Sequence, residues 1–280
     1  MATRALDTAD RSWLHLSIPM TFEEIKSTAT APRCSEPSQG WLPMGTVEAL
    51  YLRVANEPAP RPVSSVQAIT QYGLAGDRHA SPRSPRQLLL AGVGAYRLWK
   101  LPVASLRENV LVDFPVQELQ SGDLLRLGPH VVLWVTFICE PCSLLERRCP
   151  GTLKTIGSRR GMLARVVRGG HIGVGDPILV CHGAAPVFSN TWQNRILHVA
   201  RAIPSGHRVS YSQLAEIAGV PPAYCRAFPR VLATLPPGVA SRIGSGSHEH
   251  AKPWSASALF DSVGRLATLD ALPELESLER

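Results

Sequence analysis

The sequence predicts an α+β, multidomain fold: a β-barrel followed by a small helical, helix-turn-helix domain. Three observations carry this. Short strand-like runs separated by Gly, Pro and Asp fill residues 45–182, helical spacing takes over beyond 190, and 280 residues suit one large domain or two ordinary ones. The composition, 45% hydrophobic and 18% charged, is globular and excludes wholesale disorder.

Residues 1–44 read as irregular, punctuated by Pro19, Pro32, Pro37 and Pro43. From Gly45 the texture changes. GTVEALYLRV alternates in polarity, Asn56–Pro62 is a proline-rich turn, and VSSVQAIT follows as a strand. QLLLAGVGAYRLWKL reads as a strand entering a short helix. LRENVLVD, DLLRLGP, HVVLWVTFI and DPILVCH are further short β runs, which together indicate a barrel over 45–182. GAAPVFSN, residues 183–190, is the expected linker between separately packed domains.

Over 191–280 the spacing is helical. Ile196, Val199, Ala200 and Ile203 share one stripe. Ser210 is a possible N-cap for a second helix with Leu214, Ile217 and Ala218 on one face, and Gly219 stops it. PPAYCRAFPRVLATL restarts a helix that Pro229 should kink or delay. Two helices around a short Gly-containing turn form a helix-turn-helix candidate.

The net charge of +7 admits a polyanionic partner without requiring one. Its distribution says more. Residues 188–260 carry seven basic side chains against Glu216 and Glu249, and acidic residues gather in the tail beyond. The longest apolar runs are too short to span a bilayer, which needs roughly 18 residues. The start of the chain does not read as a secretory signal, so an intracellular protein, cytoplasmic or nuclear, with no membrane partner is expected. Reduced thiols are then expected for the six cysteines.

Three cysteines crowd together as Cys139, Cys142 and Cys149. A thiolate is the form that attacks sulfur or binds soft metals, and positive neighbours favour it. Arg147, Arg148, Arg159, Arg160, Arg165 and Arg168 all follow closely and could cradle an anionic phosphate. Asp77, Arg78 and His79 add an acid/base set in a Gly-flanked loop. The plain alternatives are that this loop is a tight turn and that Cys142 is a small packing residue. The trio could instead hold zinc with His171, Cys181 or His182 as a fourth ligand, or Cys139 and Cys142 could act as a redox pair. GGHIGVG is followed by strand-like DPILV, so turn glycines explain it better than a nucleotide loop.

GLAGDRHA at 73–80, RQLLL at 86–90, LRENVLV at 106–112, SGDLLRLG at 121–128, VTFICEPC at 135–142 and GGHIGVGDPI at 169–178 occur in order. The series resembles a MOSC domain, the β-barrel module named for the C-terminal part of molybdenum cofactor sulfurase, over about 45–182. The resemblance implies sulfur or molybdenum–pterin chemistry, with Cys142 as sulfur carrier or metal ligand. It further implies Asp77, His79, Arg86, Asn109 and Cys142 as cofactor-binding residues for a molybdenum cofactor. Pyridoxal phosphate binding belongs to the same set of expectations.

ILHVARAIPSGHRVSYSQLAEIAGVPPAYCRAFPRVLATLP resembles the DNA-binding half of the O6-alkylguanine-DNA alkyltransferases. Where that family carries its acceptor cysteine, this chain has Lys252-Pro253-Trp254-Ser255, and Trp replaces the cysteine in the non-catalytic alkyltransferase-like relatives. An indole cannot accept an alkyl group as a thiolate does. The resemblance implies Ser210, Tyr211, Arg226 and Trp254 as DNA-binding residues. Tyr211 would press on the phosphate, Arg226 would fill the vacated stack and Trp254 would line a pocket for a flipped purine. The His-Arg expected after the acceptor is missing, and extra residues including His248 and His250 precede Pro253.

Two functions follow as expectations. One is recognition of alkylated or modified guanine in double-stranded DNA, with a DNA-repair partner and sulfur or cofactor chemistry in the barrel. The alternative is a sulfur-transfer or molybdenum-cofactor enzyme whose helical domain docks a partner such as a sulfur donor. Whether the barrel is catalytic stays open between them.

Overall fold

A computed structural model describes residues 40–244, 252–261 and 263. His248 and His250 lie outside the described residues, as do nearly all of the irregular N-terminal segment and the acidic tail.

Seven strands close a barrel. They are β1 (Leu42–Leu52), β5 (Leu88–Gly92), β6 (Val110–Val112), β7 (Leu124–Leu127), β8 (Val131–Ile138), β9 (Met162–Arg168) and β11 (Pro177–Cys181). Their order around the wall is β11, β7, β8, β9, β5, β6, β1, and β1 returns to β11 through Leu42↔Val180 and Thr46↔Pro177. Only β5 and β6 run parallel, and the helix α1 (Val93–Trp99) leaves β5 on that crossover. β2 (Arg61–Val63) extends the wall beside β1. β3 (Ser65–Ile69), β4 (Gly73–Leu74) and β10 (Gly170–Gly173) form a small separate sheet. The GGHIGVG segment is therefore strand and turn, as its glycines indicate.

The β8 sequence VVLWVTFI shows why the barrel cannot be read alone. A strand with one wet face alternates; this one is apolar on both faces except for Thr136, whose buried hydroxyl donates to main-chain carbonyls, because both faces are covered. Val131, Leu133 and Val135 face the barrel interior with Leu88, Leu90 and Ile178. Val132 and Trp134 face outward into a second core. That core also holds Leu124, Leu179 and Cys181 from neighbouring strands, and Ile196, Val199, Leu214 and Phe228 from the helical segment.

α3 (Trp192–Ala202) buries the expected stripe of Ile196, Val199 and Ala200, with Ile203 beyond its end. Ser210 caps α4 (Tyr211–Ile217) in a capping box: its hydroxyl accepts from Gln213 N and the Gln213 side chain accepts from Ser210 N. Gly219, at φ +63°, ends the turn after α4. The short-turn helix-turn-helix does not follow. Residues 218–227 separate α4 from α5 (Phe228–Leu232), and Pro222–Ala227 is a 3-10 stretch. Pro229 sits in the first turn of α5, where its missing N–H has no partner to lose. α6 (Pro237–Ala240), the parallel pair β12 (His207–Arg208) and β13 (Lys252–Pro253), and α7 (Ser257–Asp261) complete the segment.

The expected linker is packed rather than loose. Ala184 and Ala185 are buried, and Phe188 lies 5.0 Å from the Trp134 ring centroid and 6.4 Å from that of Phe260. All described residues fall in one compact unit.

Candidate functional site at the barrel mouth

The site grows from the end of β1. Arg53 follows that strand and is nearly buried, which is costly for a guanidinium unless its donors are met. Asp77 and Asn109 meet them. Asp77 Oδ2 accepts from Arg53 N at 2.9 Å and from Asn109 Nδ2 at 2.6 Å, with Arg53 Nε at 3.5 Å. Asn109 Oδ1 accepts from Arg53 Nη2 at 2.5 Å and from Leu89 N at 3.0 Å. Burial pulls the Arg53 pKa down, and the charges of Asp77 and Cys139 oppose that pull. A buried hydrogen-bonded network of this kind fixes geometry more than it adds stability.

Around this pair stands an arginine cluster. Burial lowers the Arg107 pKa, and the positive charges of Arg148 and Arg78, then Arg160, lower it further. Arg107 Nη1 and Arg148 Nη2 both donate to the Pro58 carbonyl, at 3.3 and 2.8 Å. Arg160 is only 7% exposed. Its Nε and Nη1, and the Nε of Arg148, are buried with no hydrogen-bond partner among the described residues. Buried unpartnered guanidinium donors are expensive, and an oxyanion is the ligand that satisfies them best.

Cys142 is exposed and immediately precedes α2 (Ser143–Arg148), so the thiol and Arg148 belong to one short helical element. Its carbonyl accepts from Leu145 N at 2.9 Å. Cys139 is buried, and it is the thiol electrostatically coupled to Arg53. Cys149 is buried in a different apolar cluster, under α1 and α2. The three thiols thus diverge, and no group of three or more His, Cys, Asp or Glu suited to a metal occurs among the described residues.

His79 N donates to Asp77 Oδ1 at 2.8 Å. Desolvation and then the charge of Arg53, with Arg78 and Arg86 adding, push its imidazole down to about 3. The side chain itself reaches solvent, so the arginine charges are the firmer cause, and the direction is a neutral ring at pH 7.

The site residues read from sequence are divided by the structure. Asp77, His79 and Asn109 come together, with Cys142 opening the adjoining helix. Arg86 instead donates from Nη1 to the Gly219 carbonyl at 3.2 Å, toward the helical segment. Of the six arginines expected to cradle an anion, Arg148 and Arg160 join the cluster. Arg165 does not: it donates to Gln71, Ser84 and Pro82, and its guanidinium stacks on Phe260 at 4.0 Å. Arg53, Arg107 and Glu108 were missed. Arg107 and Glu108 lie inside the LRENVLV segment already singled out, whereas nothing local marks Arg53.

In the helical segment Ser210 is occupied as a cap. Tyr211 is half-buried against Phe228, and Arg226 is exposed. Trp254 is only 8% exposed within the second core.

Pyridoxal phosphate does not suit this cradle. It needs a lysine for its Schiff base, and the described lysines, Lys100, Lys154 and Lys252, are all exposed while the cluster is built of arginine. No helix among the described residues is long and apolar enough to cross a membrane.

The family model of the MOSC domain matches residues 81–179. No curated protein matches. Among solved structures, the YuaD protein from Bacillus subtilis is similar at 18% identity and a TM-score of 0.42, over 50% of this chain and 97% of that one. YiiM from Geobacillus stearothermophilus matches at 16% identity and TM-score 0.41, over 68% and 98% of the two chains. YiiM from Escherichia coli matches at 18% and 0.40, over 70% and 95%.

Proposed function

Because the chain carries a MOSC domain, we propose that its barrel mouth binds an anionic sulfur substrate or molybdenum–pterin cofactor, with Cys142 as the reacting thiol or ligand. The observation that carries this is the pair of buried, unpartnered nitrogens on Arg160, joined by Nε of Arg148. A phosphate or similar oxyanion fits that donor set. Arg107 and Arg148 would bind the same anion once they release Pro58 O.

The chain's own residues do the rest. Asp77 and Asn109 hold Arg53 rigid beside Cys139. Cys142, exposed at the start of α2, reaches the substrate. In sulfur transfer its thiolate attacks the outer sulfur of a donor persulfide, the donor's S–S bond breaks, and the donor thiolate leaves as Cys142 becomes the persulfide. No net oxidation occurs. A molybdenum–pterin centre, when bound, would supply redox and oxygen-transfer chemistry at the metal, with Cys142 as its thiolate ligand.

Calorimetric titration with inorganic phosphate tests the anion site. Wild type should bind, and Arg160→Met should weaken binding by roughly tenfold or more, since charge-assisted hydrogen bonds contribute about 1.5–3 kcal/mol each. Equal binding by both proteins would overturn the assignment. Molybdenum and pterin content, measured on protein from a cofactor-producing host, separates the two ligands.

DNA recognition by the helical segment is the second reading. It starts from exposed Arg226 and Arg230, which flank the Phe228 that Tyr211 packs against. It weighs less because the burial of Trp254 suits packing better than a base pocket.

A further inference from the structure

Arg195 lies on α3, in the helical segment, and its contacts join that segment and the linker to the strand that leads to the thiols. It is 3% exposed. Nε donates to Ala218 O at 3.0 Å, and Nη1 donates to Ser189 O and Asn190 O, both at 2.9 Å. Its guanidinium sits 3.8 Å from the centroid of Phe137, and Nη2 is 3.9 Å from Glu140 Oε1. Asn190, whose backbone Arg195 holds, accepts through Oδ1 from Ile138 N at 3.0 Å. Phe137, Ile138 and Glu140 flank Cys139 and run directly into Cys142. On the other side, Gly219 has no Cβ, and one built there would stand 2.6 Å from Phe137 Cζ. The turn after α4 thus closes over the same ring.

We infer that Arg195 is a positioning residue for the Cys139–Cys142 segment, acting through Asn190 and Phe137, so that the helical segment sets the geometry of the thiol loop. The inference rests on the reading above that this loop carries the chemistry. Several features fit a dedicated support. One guanidinium satisfies three carbonyls from the linker and the α4 turn, and its flat face covers an aromatic ring at the end of β8. A residue serving only the helical core would turn toward Ile196 and Phe228. Arg195 instead bridges helical segment and barrel, bonding the linker and the α4 turn while its guanidinium lies over Phe137 of β8.

Thiol labelling of the full-length chain with iodoacetamide, read peptide by peptide by mass spectrometry, tests this without any ligand. Cys139, Cys149 and Cys181 are all buried in wild type and should label slowly. In Arg195→Ala, and in Asn190→Ala, Cys139 should label about tenfold faster, as loss of the support at the end of β8 lets that segment open locally and expose the thiol. Cys149 and Cys181 should stay protected. Asn190→Asp retains the acceptor and should behave as wild type. Asn190 is exposed, so its variants keep the test alive if Arg195→Ala fails to fold.

Cys181 shares the second core with α3. If it becomes reactive together with Cys139, the helical segment has detached and Arg195 is merely structural. If Cys139 stays protected in Asn190→Ala, the positioning role is wrong. Neither outcome depends on phosphate binding, so failure here is distinct from failure of the anion site.

Discussion

Glu108 is fully buried, and both its carboxylate oxygens lie 2.7 Å from the Tyr96 hydroxyl, which itself accepts from Leu106 N at 3.2 Å. Burial raises its pKa, against the Tyr96 hydrogen bond and the charges of Arg160 and Arg53. The folded state therefore holds the Glu108 proton to higher pH than the unfolded state. From 4.5, the ordinary value, up to the raised folded pKa, stability falls as pH rises. Glu108→Gln removes that dependence and keeps a partner for Tyr96. Its stability relative to wild type should be greater at pH 8 than at pH 5, read from urea midpoints; an equal difference at both would mean Glu108 titrates normally. At this scale the sequence was partly legible. Asp77, Asn109 and Cys142 lay in recognisable segments, and their polar types in Gly-flanked or β contexts asked for partners. Arg53 and Arg195 carry no such local mark, because their roles come from carbonyls and side chains far along the chain.

Among the elements, the amphipathic stripes of α3 and α4, the Ser210 cap and the Gly219 stop were all readable, since each depends on neighbours within a few residues. Gly219 is constrained twice over, by φ +63° and by Phe137, Pro85 and Arg86 close to its missing Cβ. Gly219→Ala should lower unfolding free energy by about 2 kcal/mol or more, combining left-handed strain with overpacking against a ring, and denaturant unfolding measures it. A loss below about 0.5 kcal/mol would mean that this turn is not seated on the barrel. The helix after Gly219 was less legible. Its spacing suits a long helix, but paired prolines and Pro229 divide it into a 3-10 stretch and a five-residue α5.

For the whole molecule, the second core matters most. Trp134, Val132, Leu179 and Cys181 of the barrel wall lie in it with Ile196, Leu214 and Phe228. A shared core of this kind couples its two sides, so calorimetry of the full chain should show one cooperative transition, with calorimetric and van't Hoff enthalpies equal. Two resolved transitions would instead establish residues 183–190 as a true domain boundary.

The sequence by itself determined the order of strands and helices, the caps and turns, and the segments that bear the chemistry. These depend on local spacing, glycine and proline geometry, and residue type. Only the tertiary structure decided which arginines meet. Arg53, Arg107, Arg148 and Arg160 come from different connections between the strands, two of them from short helical turns, that barrel closure brings to one mouth, while Arg165 is turned aside to bind backbone carbonyls. It also decided that the helical segment is seated on the barrel. The β8 run, apolar on both faces apart from Thr136, recorded that two faces are covered, but a run of side chains cannot state what covers them; that is set by long-range packing.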